Sequence, residues 1–249
     1  MKRLRRVTEA EVIAEFLKNE FYQEEFHRDR RQFEHLVLDA DLTCEDENML
    51  RRALLYRRRG HMWRELPADT QWWEMQLEPE DLDKLRVFPR AHWRKIADGS
   101  FGLADIVERI RSREFFGKVA DFISKIHSLS YQMRTWRDRT SVILIGEDEN
   151  SSITIIEGNH RLTAAMLGAP EIIGSHFRVF LGVSPHMDQV CWHNGNVKTL
   201  ARYIKNRLRH LWRDDDTDLS RLATITPAAT VSAAPSYVKA VGKVMRESK

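Results

Sequence analysis

Residues 157–161 read Glu-Gly-Asn-His-Arg. A carboxylate, a glycine, an amide, an imidazole and a guanidinium therefore stand within one short stretch. Before it, Ile153, Ile155 and Ile156 form a β-branched apolar run that suits a buried strand. After it, Leu162, Ala164, Ala165, Met166 and Leu167 favour a helix, and Gly168 is a natural stop. Gly158 permits a sharp turn between the two. Three polar side chains are thus expected where a strand becomes a helix. The first N–H groups of a helix and its positive dipole end attract anions, so this turn is predicted to bind one. The same residues also suit a purely structural turn, in which Asn159 caps the helix and Glu157 is only an ion-pair partner of its neighbours.

The elements around this turn follow from pattern. Residues 1–66 read as helical, with Val12, Phe16, Phe21 and Phe26 recurring among charges and no strand-like alternation. Thr43 and Asp46 match a capping box for a helix carrying Met49, Leu50, Ala53 and Leu54, which Arg57-Arg58-Arg59-Gly60 is expected to end. That arginine run is either a solvated helix end or a phosphate contact. Trp73, Met75 and Leu77 alternate with Glu74 and Gln76 as a half-buried strand does, and Pro79 starts a helical turn. Trp63, Trp72 and Trp73 are expected to pack in the core. Helices are predicted over 91–96, through Leu103, Ile106, Val107 and Ile110, and over 114–129. Strands 141–145 and 152–156 flank an acidic loop and form a hairpin. A further strand is predicted over 176–181, and a basic helix over 197–212 with Asn196 or Thr199 as its cap.

Composition narrows the class. The chain has 249 residues, 42% hydrophobic and 31% charged, as soluble globular proteins do. Forty basic and 37 acidic residues give a net charge of +3, too balanced to imply nucleic acid. Apolar runs are too short for a membrane span, and residues 1–12 lack the apolar core of a secretory signal, so the expectation is a cytoplasmic protein with no membrane partner. Cys44 and Cys191 are far apart, which supports neither a zinc ribbon nor a disulfide framework. His186, His193 and His210 have no recognised metal spacing. From Asp214 the sequence turns acidic, then rich in Ala, Thr, Ser and Pro, as a disordered tail would be.

The segment ITIIEGNHRLTAAMLGAPEI, followed by HFRVFLG, resembles the second signature of the ParB/sulfiredoxin superfamily. The resemblance implies an α+β fold: a ParB/sulfiredoxin-like core with a small mixed sheet over 70–190. It adds a helical N-terminal region (1–69), a basic C-terminal helix (191–213) and a tail (214–249). It also implies that the turn binds nucleotide phosphates through Gly158, Asn159, His160 and Arg161. Partition proteins of this group carry an arginine-rich triplet where Asn159 and His160 stand, and a helix-turn-helix domain for which too little chain remains. Sulfiredoxin carries its catalytic cysteine at the position of Asn159, so sulfinic-acid reduction is excluded. The nearest motif is that of the free-serine kinases of this fold, with Glu157 at their acidic position.

That likeness implies a nucleotide-binding transferase, a kinase using ATP or another nucleotide with Mg²⁺ on a small hydroxyl-bearing substrate. Arg161 would hold phosphate, His160 would stabilise charge or move a proton, and Glu157 would bind metal or act as base. Glu74 and Glu78 are candidates for a second carboxylate by position alone. The alternative is a nucleotide-gated DNA-binding or regulatory protein of the ParB type, using Arg57–Arg59 and the basic helix.

Overall fold

A computed structural model of the protein describes residues 1–135 and 139–212. The tail expected over 214–249 lies outside these residues. The fold is α+β. Strands β1 (Lys2–Val7), β2 (Gln71–Gln76), β3 (Leu85–Arg86), β4 (Thr140–Gly146), β5 (Ile153–Glu157) and β6 (Phe177–Val183) form one mixed sheet in the order β1-β2-β6-β4-β5-β3. β4 runs parallel to β6 and antiparallel to β5, which is the predicted hairpin.

Helices α1 (Glu9–Glu20), α2 (Arg30–Leu38) and α3 (Glu45–Trp63) precede β2. Helices α4 (Ala91–Ala97), α5 (Leu103–Ser112) and α6 (Lys118–Met133) lie between β3 and β4. Helix α7 (Asn159–Gly168) follows β5, a short α8 (Ile173–His176) leads into β6, and α9 (Val197–Trp212) comes last among the described elements.

β4 shows why this is a layered fold. All of its residues are buried. Successive side chains of a strand point to opposite faces. Ile143 and Ile145 join a cluster with Phe16, Leu17, Leu36 and Leu54 of α1–α3. Val142 and Leu144 join the other cluster, with Ile106, Ile126, Leu162 and Ala165 of α5–α7. Residues 1–69 therefore cover one face of the sheet and also supply its edge strand.

β1 departs from the helical expectation for residues 1–66. Five of its six residues are exposed and only Val7 is buried, so no apolar alternation marks it. It is held by antiparallel backbone pairing with β2, and its charged side chains suit an edge. The Thr43–Asp46 capping box is also replaced. The Thr43 N–H and hydroxyl both donate to Asp41 Oδ1, at 2.8 and 2.7 Å. α3 runs through Gly60 to Trp63 instead of ending at the arginine run. α6 begins at Lys118, four residues later than expected, after Gly117 at φ 59°.

α9 matches its predicted span, and both cap candidates serve. The Thr199 N–H donates to Asn196 Oδ1 and the Asn196 N–H to Thr199 Oγ1, each at 3.0 Å. The helix docks through polar and aromatic side chains. Asn206 donates to Glu65 at 2.7 Å, and Tyr203 meets Trp192 edge-on at 4.5 Å. Val197, Leu200, Ile204 and Leu208 are left exposed. No described helix is long and apolar enough to cross a membrane.

Candidate functional site

The strand-to-helix turn forms as predicted, and its backbone depends on Gly158. This residue sits at φ 95°, ψ 11°, in the left-handed region that favours glycine. A Cβ there would lie 2.5 Å from Val142 Cγ1. The strand β5 and the start of α7 thus press against β4 at a point where no side chain fits.

Asn159 is the first residue of α7, and its amide faces inward. Its Oδ1 accepts from the Phe88 N–H at 2.8 Å, and its Nδ2 donates to the Ile155 carbonyl at 3.1 Å. It pins the segment after β3 to the turn. Its amide is therefore not turned toward a ligand. Gly158 supplies no side-chain cap, so the first N–H groups of α7 remain uncapped.

Arg161 is likewise buried, at 3% exposure. Nη2 donates to Glu157 Oε2 at the end of β5, and Nη1 donates to Thr140 Oγ1. Nη1 also donates to Asn19 Oδ1 at 2.6 Å. Asn19 Nδ2 in turn donates to Ser141 Oγ at 2.9 Å. The guanidinium expected to grip phosphate is used to join α7, β5, β4 and α1. The reason is burial: a charge removed from water needs an opposite charge and hydrogen bonds around it. Burial raises the Glu157 pKa above the ordinary carboxyl value, with Arg161 partly opposing the shift and Glu20 adding to it.

His160 projects between aromatic rings. It lies 5.5 Å from Trp93 and 5.1 Å from Phe122, and His92 stacks on Phe122 at 4.9 Å. Burial, and then the charge of Arg161, lower its pKa to about 4. At neutral pH it is an uncharged imidazole and does not change charge there.

Glu157, Gly158, Asn159 and His160 line one cleft of about 100 Å³. Across it stand three charged residues that sequence reading did not connect to the turn: Glu20 of α1, Arg59 of α3, and Arg90 just before α4. Arg59 donates to Glu20 at 2.7 Å and to Glu25 at 3.2 Å. Burial works against the Arg59 charge, but the two glutamates hold its pKa above the usual value. Arg90 lies 4.8 Å over the Phe88 ring and has no carboxylate partner among the described residues. Its pKa is lowered by desolvation and then by Arg59. Arg90 and the uncapped start of α7 thus line one cleft, and both kinds of group attract anions.

The other candidates fall elsewhere. Glu74 binds Arg178 at 3.0 Å and Arg5 at 2.7 Å in an ion-pair cluster on the sheet. Glu78 lies 3.7 Å from the N-terminal ammonium. Arg57 and Arg58 both pair with Asp29, so with Arg59 the arginine run is committed to internal contacts. His193 shares a hydrogen bond with Thr154 Oγ1 at 3.2 Å. No group of three His, Cys, Asp or Glu among the described residues could hold a metal ion. Comparison of the chain with protein-family models, with curated proteins and with solved structures finds no match.

Three outcomes follow from this geometry. Gly158→Ala should cost about 2–4 kcal/mol in urea unfolding, from left-handed strain plus overpacking on Val142. Arg161→Met should cost about 3–5 kcal/mol by stranding the Glu157 carboxylate, and adding Glu157→Gln should restore part of it. His160 has a folded pKa below its unfolded one, so its contribution is present above pH 6.5 and is lost as pH falls toward 4. His160→Gln should therefore lose on the order of 2 kcal/mol less than the parent over that window. Equal losses in the two proteins would contradict the neutral state of the half-buried His160.

Proposed function

We propose that the protein is a phosphotransferase that moves a phosphoryl group from a nucleotide such as ATP, with Mg²⁺, to the hydroxyl of a small molecule. The observation that carries this reading is Arg90, an unpaired guanidinium in a cleft with uncapped α7 amides and two carboxylates. Phosphoryl transfer asks little covalent chemistry of a protein. It needs phosphate held by cations and amides, a divalent metal, and a carboxylate to receive the hydroxyl proton.

The donor set is compatible with Mg²⁺, which keeps several waters and takes one or two protein carboxylates beside phosphate oxygens. Glu20 and Glu157 are the two that line the cleft. When bound, the metal neutralises charge on the phosphate oxygens. Sequence reading gives both metal binding and base catalysis to Glu157; with Glu20 present the roles divide. Glu20 would face the metal. Glu157, its proton affinity raised by burial, would take the proton as the acceptor oxygen bonds to phosphorus and the bond to the nucleoside diphosphate breaks.

Arg90 and the amides of α7 would hold the transferring group. The neutral His160 imidazole can donate an N–H to a phosphate oxygen without adding charge. Arg161 keeps Glu157 in place and makes no ligand contact. A cleft of about 100 Å³ admits the phosphoryl group and leaves the nucleoside outside it. The DNA-binding alternative draws on one feature: α9 carries Lys198, Arg202, Lys205, Arg207 and Arg209 and no acidic residue.

The test is nucleoside diphosphate formation from Mg-ATP across a panel of small amino, sugar and polyol alcohols. A productive acceptor is expected. Arg90→Ala should then lower kcat/KM by about 10²-fold, as loss of one phosphate donor does, with unfolding unchanged because Arg90 closes no ion pair. Absence of transfer together with absence of any nucleotide-induced rise in Tm would overturn the reading.

A further inference from the structure

α9 is amphipathic, and it faces the opposite way from a helix packed on a core. Val197, Leu200, Ile204 and Leu208 are 84%, 48%, 50% and 54% exposed. At about 3.6 residues per turn, their spacing sets them in one stripe along the helix. The side that docks carries Thr199, Tyr203 and Asn206 instead. Thr199 Oγ1 donates to the Asn194 carbonyl at 2.7 Å, Tyr203 meets Trp192 edge-on, and Asn206 donates to Glu65 at 2.7 Å. α9 thus holds to the body by polar and aromatic contacts and presents its aliphatic stripe outward. Lys198, Arg202, Lys205 and Arg209 repeat with the same helical period along one side of the stripe, and Arg207 lies on the other. All five are exposed. Arg202 donates to Gln189 Oε1 at 2.9 Å and Arg207 to the Tyr203 hydroxyl at 3.4 Å, both neutral partners. The helix contains no acidic residue.

An aliphatic stripe bordered by cations on both sides is matched by a surface that is apolar within and anionic at its boundary. A bilayer containing anionic lipid has both, with acyl chains beneath phosphate-bearing headgroups. Lys and Arg side chains are long enough to reach the headgroups from a helix whose aliphatic face is buried. Other occupants match less of the surface. A nucleic-acid duplex answers the cations and leaves four aliphatic side chains in water. A second α9 covers the stripe but sets five cations against five. A protein interface draws most of its energy from aromatic and arginine anchors, whereas this stripe is wholly aliphatic. We propose that α9 is a peripheral membrane anchor that lies in the headgroup layer of an anionic bilayer. The expectation of no membrane partner concerned spanning segments; a helix lying in the interface needs neither their length nor their uniform apolarity. The proposal rests on no part of the reading of the α7 cleft.

Flotation of the full chain with vesicles tests this, comparing phosphatidylcholine alone with phosphatidylcholine containing one-third phosphatidylserine. Binding to the anionic vesicles is expected, with little to the neutral ones and a steady loss as salt is raised. Lys205→Ala and Arg209→Ala should each lower the partition coefficient about fivefold. Ile204→Ala and Leu208→Ala should each lower it about tenfold. All four side chains are exposed, so circular dichroism and Tm should match the parent. No binding to anionic vesicles at low salt would overturn the proposal, as would binding that the Ile204 and Leu208 variants leave intact. Duplex DNA bound in place of vesicles, through the cations alone, would assign α9 to nucleic acid. A dimer in solution that Ile204→Ala and Leu208→Ala dissociate would give the stripe to a second copy. Either result would likewise overturn the membrane assignment.

Discussion

The buried ion pair between Glu157 and Arg161 is the constraint from which the rest of the site follows. Neither group is stable in the interior by itself, and their attraction offsets desolvation only if the remaining donors are also satisfied. Asn19 and Thr140 provide that, one from α1 and one from β4. The pair therefore fixes four elements relative to one another. It also sets the rotation of α7, because Arg161 must look inward. Asn159, two residues earlier, is then committed to Phe88 and Ile155, and His160 is directed to the cleft among Trp93 and Phe122. Gly158 is the consequence in the backbone. With β5 and α7 drawn this close to β4, only a residue without a Cβ can turn the chain beside Val142.

This arrangement reverses the roles that residue types suggest. A Gly-Asn-His-Arg turn reads as a phosphate loop with its arginine as the anion donor. Inside the fold the arginine is part of the frame, and the unpaired guanidinium comes from Arg90, before α4. The charges around the cleft are graded by their partners. Arg59 is held by two glutamates, Glu157 by one arginine, and Arg90 by the Phe88 ring and the Met62 sulfur with no carboxylate among the described residues. A cation stacked on a ring is partly desolvated yet keeps its donors. Of the charged groups in the cleft, Arg90 is the one whose donors an anion can claim without breaking an existing pair.

Much of the local structure was legible in the sequence because it rests on local rules. The strand–turn–helix at 153–168, the hairpin of β4 and β5, and α9 with its caps all follow from periodicity, glycine and capping chemistry. β1 was not legible. An edge strand with one buried residue carries no apolar pattern, and its pairing with β2 is a matter of backbone geometry. The site was half legible for the same reason. Its turn is one contiguous segment, but Asn19, with Glu20 beside it on α1, is 142 residues from Arg161, and Arg59 and Arg90 come from two further segments. Nothing local distinguishes Arg59 from Arg57 and Arg58 in the run. Only the packing of α3 on α1 assigns Arg59 to Glu20 and sends its neighbours to Asp29.

The N-terminal helices are thus more than a cover for the sheet. α1 carries Phe16, Asn19 and Glu20 on one stretch: the first packs in the core, the second completes the coordination of Arg161, and the third enters the cleft. α3 contributes Arg59 and Met62 to the same cleft. A helix in a close-packed layer moves as a body, since its side chains have few alternative positions. Trp63 at the end of α3 meets Phe16 of α1 edge-on at 5.7 Å, so the packing of these two helices also sets the place of Asn19 beside the Glu157–Arg161 pair. Residues 1–69 hold the charged turn in register and supply Phe16, Glu20, Arg59 and Met62 to its cleft.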